Sequence, residues 1–210
     1  MKNLIIIILT LIITGCCSID PKDIEFNNSE LAHFSEYQKE DTIYFKSNLG
    51  NIDTITIVGY ESEKYDQCGG FMARLPQNTK WIKIKHLPID KWHGTTQDMT
   101  NGGEIEIDYQ GLLWITKYPI SKTTEYSINF KDFHSSQNEQ IGAFYTDTLT
   151  LNNIILTNYY IVKHGYPERV TEPENVETVY WTNANGLTAY KNKNGELWTK
   201  EKAANTVYSK

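Results

Sequence analysis

Apolar and polar residues alternate along most of the chain after residue 41, and this period of two constrains the fold more than any other feature. Residues 104–109 read Glu-Ile-Glu-Ile-Asp-Tyr, and residues 126–131 read Tyr-Ser-Ile-Asn-Phe-Lys. Because successive side chains of a β-strand point to opposite faces, each segment predicts a strand with one face in solvent. Further strand candidates, apolar and rich in β-branched or aromatic residues, are 42–46, 52–58, 81–85, 112–117, 144–151, 155–162 and 176–181.

Two Asn-Gly pairs near the end of the chain are the strongest turn signals in the sequence. Asn185-Gly186 and Asn194-Gly195 are flanked by the apolar segments 187–190 and 197–199. Asn-Gly favours type I′ hairpin turns, in which both central residues have positive φ. The pairs therefore predict a terminal three-stranded meander.

Many short strands with one helical segment predict a mostly β fold. Residues 29–38 have apolar side chains near helical spacing and predict one short N-terminal amphipathic helix. We expect a single antiparallel, sheet-rich domain over 28–210, either a sandwich or a half-open barrel. Residues 16–27 are polar and are interpreted as a tether, and residues 1–15 as a signal peptide.

The N-terminus has the order of charges and apolar residues that is typical of an export signal. Lys2 precedes the apolar run Leu4–Ile13. A membrane-spanning helix needs about 20 apolar residues, so this run is too short to be one. The run ends at Ile13-Thr14-Gly15-Cys16, an aliphatic residue and two small residues before a cysteine.

This last motif resembles the bacterial lipobox. The resemblance implies a lipoprotein that is cleaved before Cys16 and carries acyl chains, palmitate among them, on that cysteine. Asp41-Thr42-Ile43-Tyr44-Phe45 and Gly195-Glu196-Leu197-Trp198 also resemble segments of small uncharacterised envelope lipoproteins from Gram-negative bacteria with AT-rich genomes. That resemblance implies a lipid-anchored protein of the cell envelope, with the outer membrane favoured and the periplasmic or surface face left open.

The charge of the chain argues against nucleic acid as a partner. The formal net charge is −6, and removal of the leader with Lys2 makes it −7. An acidic chain is repelled by phosphate backbones and by anionic headgroups, so membrane affinity has to come from the lipid on Cys16. The remaining partners that we expect are an envelope protein complex or a small ligand.

Three Asp-Thr-aliphatic triplets are candidate O-glycosylation sites, at Thr42, Thr54 and Thr148. They resemble the signal that some of these bacteria use on exported proteins. Alternating strands also produce such triplets by chance, because threonine is favoured on a pleated surface.

Trp81 and Trp92 are candidate ligand contacts. Trp81 has the opposite phase to Ile82 and Ile84, so it would face away from the core that they define. An outward indole offers a rigid apolar surface with one polar group to a sugar ring, a lipid or another protein. The alternative is a second packed layer.

The sequence contains no strong catalytic or metal-binding pattern. His86, Asp90 and His93 match no standard zinc spacing, and we interpret the histidines as exposed loop residues rather than ligands. Cys68 before two glycines, with His164 as a distant base, is a weak nucleophile motif. Pairing of Cys68 with Cys17 is left open. We therefore predict no catalytic residues, no metal site and no cofactor.

The sequence favours a non-catalytic binding or accessory subunit of the envelope. The alternative is a carrier that holds a hydrophobic or glycan ligand in a curved sheet, and a small hydrolase ranks last.

Overall fold

The computed structural model describes residues 20–65, 75–87, 95–97, 104–106, 109–135, 145–152 and 154–201. The described strands are β1 Thr42–Ser47, β2 Ile52–Tyr65, β3 Gln77–Leu87, β4 Thr95–Gln97, β5 Glu104–Glu106, β6 Gln110–Tyr118, β7 Thr123–Phe130, β8 Phe133–His134, β9 Tyr145–Leu151, β10 Ile154–Lys163, β11 Val176–Thr182, β12 Gly186–Asn192 and β13 Leu197–Lys200. Each predicted strand has a counterpart, whereas β4 and β8 were not predicted.

Eleven of these strands form one antiparallel sheet, and β4 pairs with β5 separately. The strand order of the large sheet is β8-β7-β6-β3-β2-β1-β13-β12-β11-β10-β9. The first strand, β1, pairs with the last strand, β13, in the middle of the sheet. The two ends of the domain therefore lie side by side.

The sheet curls until its β8 edge meets the segment between β10 and β11. Gly165 N donates to His134 O at 2.7 Å, and Val176 N donates to the Asp132 carboxylate at 3.1 Å. The result is a half-barrel. The predicted mostly β, antiparallel domain is confirmed, and of the two architectures the half-open barrel is the one observed.

The concave face of the half-barrel is filled with large side chains. Phe45, Phe130 and Tyr190 have no exposed surface, and their ring centroids lie 4.9 to 6.2 Å apart. Every second residue of the central strands joins them, including Ile55 and Ile57 of β2. Burial of each such side chain contributes about 1.5 to 3 kcal/mol relative to exposure.

The segment before β1 lies across one end of the sheet. Its regular parts are the one-turn helix α1, Pro21–Ile24, and a 3₁₀ turn, Ala32–Phe34. The Tyr37 ring is completely buried near Trp181, and its hydroxyl accepts a hydrogen bond from Leu187 N at 2.7 Å.

The prediction of a helix over 29–38 was wrong, because only a 3₁₀ turn forms there. Ten residues are too few to hold a helix without packing along one face. Here Phe34 and Tyr37 enter the core individually, and Tyr60 donates from β2 to the Tyr37 carbonyl. The contacts of these individual side chains with the core therefore determine the conformation of this segment, rather than its helical spacing of apolar residues.

The terminal meander β11–β12–β13 is confirmed, but the predicted turn type was wrong. Only the glycines of the two Asn-Gly pairs have positive φ, +63° at Gly186 and +89° at Gly195. In the second turn Gly195 N donates to Asn192 O and Asn192 N donates to Glu196 O. This three-residue loop needs the left-handed conformation only at its last position, where glycine has no steric cost.

Candidate functional site: a groove on the convex face

Two tryptophans stack on the convex face of the sheet. Trp81 of β3 lies directly opposite Trp114 of β6, with ring centroids 4.5 Å apart and an interplanar angle of 12°. The neighbours Ile82, Leu113 and Ile115 are fully buried on the concave side. Side chains of directly opposite residues share a face, so the two indoles stand together on the other side of the sheet.

Gly111 leaves the space into which the Trp114 indole fits. A Cβ atom at Gly111 would lie 2.4 Å from Trp114 Nε1 and 2.7 Å from Cε2. No Cβ atom tolerates such a contact, and the indole edge is rigid. A glycine three residues before the tryptophan therefore fixes the orientation of the ring.

Asn129 of β7 connects this indole to a histidine. In the amide orientation that satisfies both neighbours, the Asn129 oxygen accepts from Trp114 Nε1 at 2.9 Å and the nitrogen donates to His134 Nδ1 at 2.9 Å. The His134 proton then resides on Nε2. Nε2 has no partner in the part of the chain that the structure describes.

An open groove of about 390 Å³ lies beside Trp114. Its lining residues combine one indole with hydroxyl, amide, imidazole and guanidinium groups: Trp114, Thr116, Ser127, Asn129, His134, Ser135, Tyr166 and Arg169. This volume is at the lower end of the range for small-molecule sites. One aromatic surface surrounded by polar groups suits a small polar ligand with an apolar face.

Arg169 is the one formally charged residue among the described residues of the lining. Its guanidinium carbon lies 4.5 Å from the centre of the Tyr166 ring. Burial and then the charges of His164 and Arg169 lower the pKa of His134 below its ordinary 6.5, and Asp132 offsets part of this. The electrostatic influence of Arg169 thus reaches the residue at the floor of the groove.

Comparison with family models, with curated proteins and with solved structures yields no match for this chain. Its function therefore has to be inferred from the groove and from the sequence.

The sequence identified Trp81 by its phase but did not select Trp114, Asn129, His134 or Arg169. The phase test is ambiguous for Trp114, since Leu113 and Ile115 flank it but Leu112, which has the same phase as Trp114, is also fully buried. The polar residues come from β7, β8 and the turn after β10. No sequence signal joins these segments, because curling of the sheet is what brings them together.

The other predicted site residues are distributed as follows. Cys16 and Trp92, together with Cys17, Cys68, Asp90 and His93, lie outside the described residues. Thr42 and Thr148 are exposed, and Thr54 is half-buried on the same face of the sheet as Tyr44. The exposure of Thr42 and Thr148 makes both hydroxyls accessible to a modifying enzyme.

The interpretation of His86 as an exposed loop residue was wrong. It belongs to β3 and is 5% exposed, with its ring 5.5 Å from that of Phe130. His86 has the same phase as Ile82 and Ile84, so the pleat turns it to the concave face. Among the described residues, no group of three or more His, Cys, Asp or Glu side chains is placed to hold a metal ion.

A largely buried ion pair, with both side chains slightly exposed, lies near His86 on the concave face. Lys131 Nζ is 2.8 Å from Asp53 Oδ2, and the Tyr190 hydroxyl donates to the same oxygen at 2.6 Å. Burial by itself raises the pKa of Asp53. The charge of Lys131 and the hydrogen bonds from Lys131 and Tyr190 together outweigh burial, so the pKa is below the ordinary 3.8. The pair joins β2 to the β7–β8 turn and to β12.

Both ring nitrogens of His164 form hydrogen bonds to the protein backbone, so neither is free to act as a catalytic base. Its Nε2 donates to Asp132 O at 3.0 Å, and its Nδ1 accepts from Tyr166 N at 2.9 Å. Both ring nitrogens are thereby used to hold the closure of the half-barrel.

None of the described helices has the length and apolarity that crossing a bilayer requires.

Proposed function

We propose that this protein is a lipid-anchored cell-envelope lipoprotein whose β domain is a non-catalytic binding module, with the convex groove beside Trp114 as its ligand site. The anchor is supported by the sequence: Lys2, the apolar run Leu4–Ile13 and Ile13-Thr14-Gly15-Cys16 follow the order of a lipoprotein signal. We favour the outer membrane by resemblance.

The observation that carries the binding proposal is the Trp81–Trp114 stack beside the groove. Tryptophans of a sandwich or barrel usually fill the core, as Trp181 does here with no exposed surface. Trp81 and Trp114 instead occupy the opposite face, and neither is fully buried. Because Trp81 covers one face of the Trp114 indole, the other face is the one available to a ligand in the groove.

The filled concave face favours this groove over a carrier function. A carrier needs a cavity in the curve of the sheet, and at that place Phe45, Phe130 and Tyr190 pack against each other. Interiors packed in this way leave no space for an acyl chain without repacking. A carrier is therefore the second hypothesis.

The anchor can be tested by metabolic labelling of the host cells with an alkyne analogue of palmitate. The wild-type protein and Cys17→Ala should be labelled, whereas Cys16→Ala should not. Cys17→Ala is the matched control, since it removes the adjacent thiol. Equal labelling of Cys16→Ala and the wild type would contradict the proposed site.

The binding proposal can be tested by crosslinking the tagged protein in its own cells. Wild type and Trp114→Ala are compared with Tyr44→Ala, which removes an exposed aromatic side chain from another part of the convex face. We expect an envelope protein or glycan that is captured by the wild type and by Tyr44→Ala but not by Trp114→Ala. Identical capture by all three would place binding elsewhere.

A further inference from the structure

The groove beside Trp114 carries a positive charge at Arg169. Among the lining residues that the structure describes, Arg169 is the only formally charged one and none is an acid. In the described part of the chain, the Arg169 guanidinium forms no ion pair with a carboxylate. This contrasts with the chain as a whole, whose formal net charge is −6.

The guanidinium of Arg169 is oriented by its contact with Tyr166. The guanidinium carbon lies 4.5 Å from the centre of the Tyr166 ring. A guanidinium that contacts an aromatic ring still has N–H donors in its own plane for a ligand. The backbone below is fixed, because Arg169 N donates to Tyr166 O at 2.9 Å and Tyr166 N donates to His164 Nδ1 at 2.9 Å. A guanidinium is a planar fork of donors that can bind a carboxylate through two parallel hydrogen bonds.

Neutral donors and acceptors complete the groove between Arg169 and Trp114. The hydroxyls of Ser127 and Tyr166 and the Nε2 of His134 have no hydrogen-bond partner among the described residues. One face of a pyranose ring carries C–H groups that pack on an indole, while its hydroxyls need partners of this kind. The lining thus combines an apolar platform, hydroxyl partners and one cation.

We propose that the groove recognises a pyranose sugar that carries a carboxylate, with the ring on Trp114 and the carboxylate on Arg169. This inference rests on the proposed function, because it names the ligand class of the same groove.

The test compares methyl β-D-glucuronide with methyl β-D-glucoside, which differ only in whether the exocyclic carbon is a carboxylate or a hydroxymethyl group. Ligand-detected NMR with the purified full-length protein measures both affinities. We expect the acid to bind about tenfold more tightly, the scale of one charge-assisted hydrogen-bonded pair. Methyl α-N-acetylneuraminide, whose carboxylate is on the anomeric carbon, is a third probe. Binding of either acid more tightly than the neutral glucoside supports a carboxylated pyranose.

Three variants locate the interaction. Arg169→Gln should reduce the preference for the acid to near unity, and Trp114→Ala should abolish binding of the acid. Lys46→Gln removes the same charge from an exposed side chain of β1 and should keep the preference. Persistence of the preference in Arg169→Gln would overturn the assignment of the carboxylate.

The outcomes separate this inference from the proposed function. If acid and neutral glycosides bind equally and Trp114→Ala weakens both, the acid preference is wrong and the groove remains a ligand site. If no glycoside binds, the sugar assignment fails. The binding proposal then depends on the crosslinking comparison, which does not use sugars.

Discussion

Tyr37→Phe tests whether the segment before β1 is an integral part of the domain. The Tyr37 hydroxyl is completely buried and accepts from Leu187 N at 2.7 Å. Its oxygen also occupies the space beside Gly186, since a Cβ there would lie 2.1 Å from it. Removal of the hydroxyl leaves the buried Leu187 N–H without its acceptor, which costs about 1 to 3 kcal/mol. For a domain of this size that loss lowers Tm by roughly 2 to 12 °C.

The assay is urea unfolding followed by tryptophan fluorescence, to which Trp181 next to Tyr37 should contribute. Tyr44→Phe is the control, because Tyr44 is 48% exposed and its hydroxyl has no hydrogen-bond partner among the described residues. We expect the control to change the free energy of unfolding by no more than about 0.5 kcal/mol. Equal losses in the two variants would refute the structural importance of the Tyr37 hydroxyl.

Three further predictions address the ion pair, the pH dependence and the tryptophan stack. Asp53→Asn should reduce the free energy of unfolding by roughly 1 to 3 kcal/mol, because the largely buried Lys131 ammonium loses its carboxylate. Urea unfolding at pH 7 measures this, and a loss below about 1 kcal/mol would be that of an exposed pair. Burial lowers the pKa of His33 below its ordinary 6.5 in the folded protein. Between the two pKa values the unfolded chain binds more protons than the folded protein does. The free energy of unfolding should therefore fall as the pH drops below 6.5 towards the pKa of the folded state. His33→Phe should flatten this slope in urea titrations, and an unchanged slope would show that other groups cause it. Gly111→Ala should displace the Trp114 indole, because the added Cβ atom would overlap it. Circular dichroism measures this as loss of the exciton signal of the stacked Trp81–Trp114 pair. An unchanged spectrum would contradict the close approach of Gly111 to Trp114.

The period-two pattern and the turn signals predicted every strand of the large sheet except β8. Strands such as β1 and β7 have one face on the core, so their alternation reflects burial directly. The same rule placed Trp81 opposite to Ile82, and the structure has it on the convex face. The same rule accounts for His86, which has the phase of Ile82 and Ile84 and is buried with them.

The pattern was insufficient where single side chains make long-range contacts. The predicted helix over 29–38 was lost because Phe34 and Tyr37 enter a core that is formed by strands far along the chain. Asp53 shares the phase of Ile55 and Ile57, which signals burial, but its partner Lys131 is 78 residues away and no local signal pairs them.

The sequence by itself determined that the chain is an antiparallel β domain and which side of most strands faces inwards, because strand geometry links burial to the parity of each residue. The lipobox-like segment ending at Cys16, on which the proposed anchor rests, is also a feature of the sequence alone. Only the tertiary structure decided that the sheet curls into a half-barrel and that Trp114, His134 and Arg169 share a groove. Those residues lie on separate segments, and the physical cause of their meeting is the closure of β8 against the chain between β10 and β11 through hydrogen bonds of His164, Gly165 and Val176.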